Sequence, residues 1–326
     1  MRRGLAALAL AALASGCVVV VGSPFGLFDR TRPPLEEVKI EGEGHDKVLL
    51  VDVAGVISDA PTHRALGLVE EDSTLARIEA ELEKAGDDDR VRALVLYVRS
   101  PGGGVTASDD VYRQVRRFKE EHDVPVVAAL GSVAASGGYY VACAADRIVA
   151  NPTTVTGSIG VIMLNLDLAG LLQKLGVRDA TVKAGRYKDL LSPLRPATPE
   201  ERAIVQNVVD YLHARFKDVV RESRHFDDAA LARVSDGRIF DAAGALSLGL
   251  VDEIGDLRAA IDVAKRQAGI EEARVVRYRR PGEGGDTLHA RWHGAAEQSP
   301  WTSELELLRT AGPQFLYLWA PALGAQ

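Results

Sequence analysis

The sequence predicts an α/β fold in which a mostly parallel sheet is covered by helices. Two observations carry this. Short apolar or β-branched runs alternate with longer amphipathic stretches along most of the chain. The runs are almost continuously apolar, and a strand of that kind needs cover on both faces, which a parallel sheet between helices provides. With 326 residues and 47% hydrophobic content, the chain is long and apolar enough for one large core.

Taken in order, Val48 to Val53 reads as the first strand of this pattern, Ser73 to Ala85 as a helix and Ala93 to Val98 as a second strand. Ser108 to Glu121 reads as a helix, Val124 to Leu130 as a strand, Ser136 to Ala145 as a helical segment and Arg147 to Ala150 as a strand. Thr198-Pro199-Glu200-Glu201 is a helix-start signal that opens a long amphipathic helix from Glu200 to His225. Gly237 to Ala268 holds two further helical pieces. Residues 22–46, rich in glycine, proline and charge, read as a linker, 47–270 as a single α/β domain and 271–326 as a C-terminal extension. The apolar end of that extension, with Phe315, Tyr317 and Trp319, reads first as a packing strand, with an oligomer contact or a segment that visits a neighbouring groove as the alternatives.

The first 21 residues set the compartment. Met1-Arg2-Arg3 is positive, Leu5 to Leu13 is apolar, and Ala14-Ser15-Gly16 are small residues ahead of Cys17, the three regions of an export signal. The string also resembles a bacterial lipoprotein signal, which implies cleavage before Cys17 and lipidation of its sulfur. Ala14 stands where the commonest form of that motif has leucine. The alternative is an uncleaved anchor, because Leu5 to Val21 is an uncharged run of about 17 residues, just enough to span a bilayer. Either way the expected location is membrane-attached and extracytoplasmic.

The net charge of −7 and the lack of basic blocks interleaved with aromatics exclude a nucleic-acid partner. Two cysteines, Cys17 and Cys143, make no disulfide framework or zinc spacing, and no metal cluster or nucleotide fingerprint appears, so no cofactor is implied.

Three segments place small residues beside a reactive group at a strand end. In Ser100-Pro101-Gly102-Gly103-Gly104, consecutive glycines can present bare N–H groups to an oxyanion; taken alone such a run is more often only a turn. In the segment from Gly131 to Tyr140, Ser136 stands at a helix start, where orphan amides favour negative charge; it reads as a nucleophile or as a simple N-cap, with Ser132 as rival. In Gly185-Arg186-Tyr187-Lys188-Asp189, Lys188 reads as a surface residue or, if an apolar environment favours its neutral form, as a general base. None of the seven histidines lies in a comparable context.

Together, Ser-Pro-Gly-Gly-Gly-Val (100–105), Ala-Ala-Ser-Gly-Gly-Tyr-Tyr (134–140), Thr-Gly-Ser-Ile-Gly-Val (156–161) and Gly-Arg-Tyr-Lys-Asp (185–189) resemble the signal peptide peptidase A family in its short form. The resemblance implies a crotonase-like, Clp-protease-like α/β fold and a Ser/Lys dyad that hydrolyses signal-peptide remnants and other apolar peptides. It makes Ser136 the nucleophile, Lys188 the general base, Ser158 the hydroxyl that orients the lysine, and the N–H of Gly103, helped by Gly102, the oxyanion donor. It also implies self-assembly into a ring of roughly eight subunits, in which Lys188 completes the site of an adjacent chain. A crotonase-type acyl-CoA enzyme and a non-catalytic membrane scaffold are the competing readings.

Overall fold

A computed structural model of the chain describes residues 33–64, 69–281, 287–288 and 315–319; the expected export signal, Cys17 and the first part of the linker, to residue 32, fall outside them. The chain runs through β1 (Glu36–Glu41), β2 (Lys47–Ile57), a small hairpin of β3 (Thr62–Arg64) and β4 (Val69–Glu71), α1 (Thr74–Gly86), β5 (Val91–Gly104), α2 (Val105–His122), β6 (Val126–Ala135), α3 (Gly137–Ala142) and β7 (Arg147–Ala150). It continues through β8 (Val155–Gly157), β9 (Ile162–Met163), α4 (Ala169–Lys174), α5 (Pro199–Arg224), α6 (Asp228–Val234), β10 (Ile239–Asp241), α7 (Ala242–Ser247), β11 (Glu253–Ile254), α8 (Leu257–Ala268), β12 (Arg274–Arg279) and β13 (Phe315–Leu318).

The main sheet has the order β1-β12-β2-β5-β6-β7-β11 and is parallel from β12 to β11, with β1 antiparallel at its edge. Its central strands are buried on both faces, which is why their sequences are almost continuously apolar. Leu49, Val51 and Val53 of β2 join the core under α1, α2 and α3, while Val48 and Leu50 join a second core with Leu257, Ala260, Ile261 and Ala264 of α8. The α/β expectation of a mostly parallel sheet with covering helices therefore holds. The long helix begins where the sequence signals it: the Thr198 side chain accepts from the Glu201 N–H, and Glu201 returns a bond to the Thr198 N–H.

Three elements differ from the sequence reading. Residues 36–41, assigned to the linker, form β1 and pair with β12, itself assigned to the C-terminal extension; the sheet edge supplies the hydrogen bonds that a polar segment cannot advertise in its own composition. The strand ending at Val98 continues to Gly104, because β2 pairs with it as far as Ile57↔Gly103. The helical segment after Ser136 is only six residues long. The expected packing strand at the C-terminus is present as β13, antiparallel to both β5 and β9.

Tyr317 of β13 is fully buried and stacks on Tyr140 at 5.1 Å between ring centroids, with Phe216 of α5 at 4.7 Å from Tyr317 and 5.0 Å from Tyr140. The Tyr317 hydroxyl donates to the Leu212 carbonyl at 2.7 Å. This aromatic cluster ties α3, α5 and β13 together behind the glycine-rich turn. Phe216→Ala is expected to lower the unfolding free energy by about 3–5 kcal/mol, through lost burial and the cavity left behind, as read by the urea midpoint at unchanged slope.

Candidate active site

Ser136 lies at the junction of β6 and α3, 1% exposed, with φ 52° and ψ −119°. That left-handed conformation is costly for a residue with a Cβ and persists only where neighbours over-determine it. Here its N–H donates to the Gly157 carbonyl at 2.8 Å and its carbonyl accepts from Tyr140 N–H at 2.9 Å. The hydroxyl makes no capping bond and is buried without a hydrogen-bond partner among the described residues. An N-cap role therefore does not account for this serine. Its rival Ser132 is exposed on β6.

Register brings Ser158 alongside. β6 and β8 pair as far as Ala135↔Gly157, so Ser136 and Ser158 are the next residues on adjacent strands. Both leave the ladder with nearly equal left-handed φ, 52° and 51°. Ser158 is 8% exposed and donates its N–H to the Arg238 carbonyl at 2.8 Å.

The glycine turn closes the other side. A Cβ built on Gly103 would lie 2.1 Å from the Ile57 carbonyl oxygen, and one on Gly102, whose φ is +109°, would lie 1.8 Å from the Tyr317 carbonyl oxygen and 2.8 Å from the Gly137 nitrogen. A Cβ on Gly137 would meet the Ser108 hydroxyl at 2.5 Å and the same Tyr317 carbonyl oxygen at 3.1 Å. Bare backbone at Gly103 lets the turn lie against β2, and bare backbone at Gly102 and Gly137 lets it abut the first turn of α3. A peptide carbonyl, that of Tyr317, stands between them. Sequence reasoning missed this contact, because nothing in residues 315–318 advertises pairing with residues more than two hundred positions earlier.

Lys188 is not gathered into this cluster. Its side chain is exposed, on an arm between β9 and α5, and makes no hydrogen bond or ion pair among the described residues. The arm is held by ions instead. Asp189 accepts two bonds from Arg195, both at 2.8 Å, and pairs with Lys183; Arg195 also reaches Glu201 at 2.5 and 2.9 Å in the first turn of α5. The Arg195 guanidinium, with the Thr198 N–H, holds the Glu201 carboxyl down at about 2, and Arg195 with Lys183 holds Asp189 well below the usual carboxylate range. α4, in the same arm, has no buried residue, and Leu166, Leu171, Leu175 and Val177 are more than half exposed. Among the described residues no group of His, Cys, Asp and Glu could hold a metal ion.

Two outcomes follow from this geometry. Gly102→Ala places a methyl group on the Tyr317 carbonyl, so β13 should detach from β5, and amide exchange at 316–318 should rise roughly tenfold or more. Because Glu201 has a depressed pKa in the folded chain, its stabilising contribution is complete above its ordinary value of about 4.3 and is lost as pH falls toward 2. Amide exchange of residues 189–194, corrected for its intrinsic pH dependence, should therefore accelerate between pH 4 and 2, and Arg195→Gln should produce that acceleration already at neutral pH.

The sequence profile of Peptidase family S49 matches residues 118–271. A putative signal peptide peptidase SppA of Enterococcus faecium is 37% identical over 244 residues, covering 75% of this chain and 70% of that protein. A putative protease of Synechocystis sp. is 35% identical over 245 residues, covering 72% of this chain and 87% of that one. The chloroplastic serine protease SPPA of Arabidopsis thaliana is 34% identical over 245 residues, though the match spans only 35% of its length. Among solved structures, a ClpP1 N165D mutant from Listeria monocytogenes aligns with a TM-score of 0.42 and 16% identity over 65% of this chain and 94% of that one. The acyl-CoA and scaffold readings find no counterpart among these relatives. With relatives matched over most of their own length, and with a buried serine set against a glycine turn, the chain belongs to peptidase family S49 and is a serine peptidase.

Proposed function

We propose that the chain is a membrane-attached, extracytoplasmic endopeptidase that degrades signal-peptide remnants and other apolar peptides through Ser136 and Lys188. The observation that carries the reading is the Ser136 environment: a strained, buried serine, its hydroxyl without a partner among the described residues, directly before a helix turn that abuts a glycine turn holding a peptide carbonyl. An extended substrate would lie antiparallel along Gly102–Gly104, as β13 does, in strand-addition recognition. Its scissile carbonyl would take the place of the Tyr317 carbonyl, so substrate displaces β13 from this edge. Ser136 Oγ would attack the scissile carbonyl and lose its proton to Lys188, while Gly103 N–H would stabilise the oxyanion. Collapse would break the C–N bond as Lys188 returns that proton to the departing amine, leaving an acyl-enzyme and a neutral lysine. Water, deprotonated by the same lysine, would release the acid.

Lys188 acts, on this reading, in the site of a neighbouring subunit. The arm that carries it exposes Leu166, Leu171, Leu175 and Val177, and the adjoining α5 exposes Tyr211 at 73%, a density of bare apolar side chains that fits contact with a second copy. A lysine works as a base only when neutral, and the water-poor surround of such a contact favours the neutral amine. Ser158, next to Ser136 in register, would hydrogen-bond the incoming Lys188 amine, accepting from it when charged and donating to it when neutral. Attachment to the membrane rests on the export signal and Cys17, since among the described residues no helix is long and apolar enough to cross a bilayer.

The test is hydrolysis of a fluorogenic apolar peptide by the assembled chain. Ser136→Ala and Lys188→Ala should each lose about a thousandfold or more of kcat, while Ser132→Ala keeps it. Equal amounts of the two inactive variants, dissociated and reassembled together, should regain roughly a quarter of wild-type activity for random closed rings. Full activity of Lys188→Ala would overturn the dyad, and no recovery on mixing would return Lys188 to its own subunit's site.

A further inference from the structure

The hydroxyl of Ser100 is completely buried and meets two strands at once. It donates to the Gly55 carbonyl at 2.6 Å and accepts from the Gly102 N–H at 3.0 Å, with the Gly102 carbonyl at 3.3 Å. The position is a bulge. β2 advances two residues from Ala54 to Val56 while β5 advances three from Arg99 to Gly102, so β5 carries one residue more than its partner. Both glycines at the bulge, Gly55 and Gly102, have positive φ, +70° and +109°. On its other side Ser100 pairs with Ala134 of β6, two residues before Ser136. A Cβ on Gly138 would lie 2.7 Å from the Ser100 carbonyl oxygen and 3.3 Å from its Cβ, so Ser100 also forms the floor under the first turn of α3.

We infer that Ser100 is a positioning residue for oxyanion stabilisation: its hydroxyl takes the Gly102 N–H out of the site and fixes the turn so that Gly103 N–H is the glycine-turn donor. This inference rests on the peptidase reading above. Two adjacent amides in an extended segment point to opposite edges, so both cannot serve one oxyanion. Ser100 decides between them, because a buried N–H with a good acceptor stays with it. Removing the hydroxyl leaves the buried Gly102 N–H without its acceptor and the half-buried Gly55 carbonyl without this donor. The bulge then relaxes by rotating the Pro101–Gly102 and Gly102–Gly103 peptides, which carries the Gly103 N–H off its line. The hydroxyl touches no substrate; it acts on geometry alone.

The experiment compares ligands that do and do not develop the oxyanion, on the assembled wild type and three variants. A peptide aldehyde forms a tetrahedral adduct with a nucleophilic serine, and the alcohol of the same peptide binds the same groove without one. In Ser100→Ala and the nearly isosteric Ser100→Cys, aldehyde affinity and kcat should fall between roughly 10- and 100-fold, while alcohol affinity and KM stay within about twofold. Ser100→Thr, which keeps the hydroxyl, should restore most of the loss. Equal weakening of aldehyde and alcohol, or no loss in the alanine and cysteine variants, would overturn the inference and leave Ser100 a bulge residue only. If Ser100→Ala does not fold, the cysteine variant decides alone. A wild type that binds the aldehyde no better than Ser136→Ala does would overturn the peptidase reading itself, a result separable from every outcome above.

Discussion

The structure turns on one close approach, that of the backbone at Ser100 and Gly102 to the backbone at Gly137 and Gly138. No side chain fits between them: the Gly102 and Gly137 positions would each drive a Cβ into backbone or hydroxyl atoms, and Gly138 rests against Ser100. That contact joins the carboxyl end of β5 to the amino end of α3. It makes the turn and the Ser136 segment a single rigid piece, and it forces Ser136 into a left-handed conformation at the point where β6 stops and α3 begins. Strain of this kind is held by the surrounding packing, here the two backbone bonds of Ser136 and the aromatic cluster of Tyr140, Phe216 and Tyr317 behind it.

The arm between β9 and α5 obeys a different logic. It has almost no core of its own, and its shape comes from charge: Arg195 joins Asp189, next to Lys188, to Glu201 in the capping box of α5. The helix N-terminus adds a favourable field for the same carboxylate. A catalytic-site candidate is thus divided between two kinds of support, a buried glycine crossing that tolerates no change in volume and an exposed arm whose apolar side chains are bare. The division also separates their sensitivities, since acid loosens the arm and leaves the crossing alone.

Much of this was legible in the residues. The alternation of apolar runs with amphipathic stretches gave the parallel sheet, the Thr198 signal gave the start of α5, and the small residues around Ser136 marked the strand-to-helix junction. What escaped was set by tertiary pairing. β1 is polar enough to read as linker and becomes a strand only because β12 borders it. Tyr317 reads as a core aromatic, which it is, but its carbonyl reaches the glycine turn for reasons of register that no local pattern encodes. Ser100 was visible as a member of a motif, yet its hydroxyl bonds depend on a bulge between two strands some 45 residues apart in sequence. Sequence pattern reports propensities and faces; it does not report which backbone groups are left over once strands have paired.

β13 has one more consequence, for measured affinity. It fills the free edge of the glycine strand as part of the same polypeptide, tied there by a fully buried tyrosine. On the strand-addition mode proposed above, a peptide arriving from solution would meet an intramolecular competitor already paired to this edge. Affinity for short peptides is then discounted by the fraction of time this edge stands vacant, however complementary the groove. On that mode selectivity would be sharpened in the same stroke, because only ligands with enough apolar contact to displace an internal strand would reach the serine.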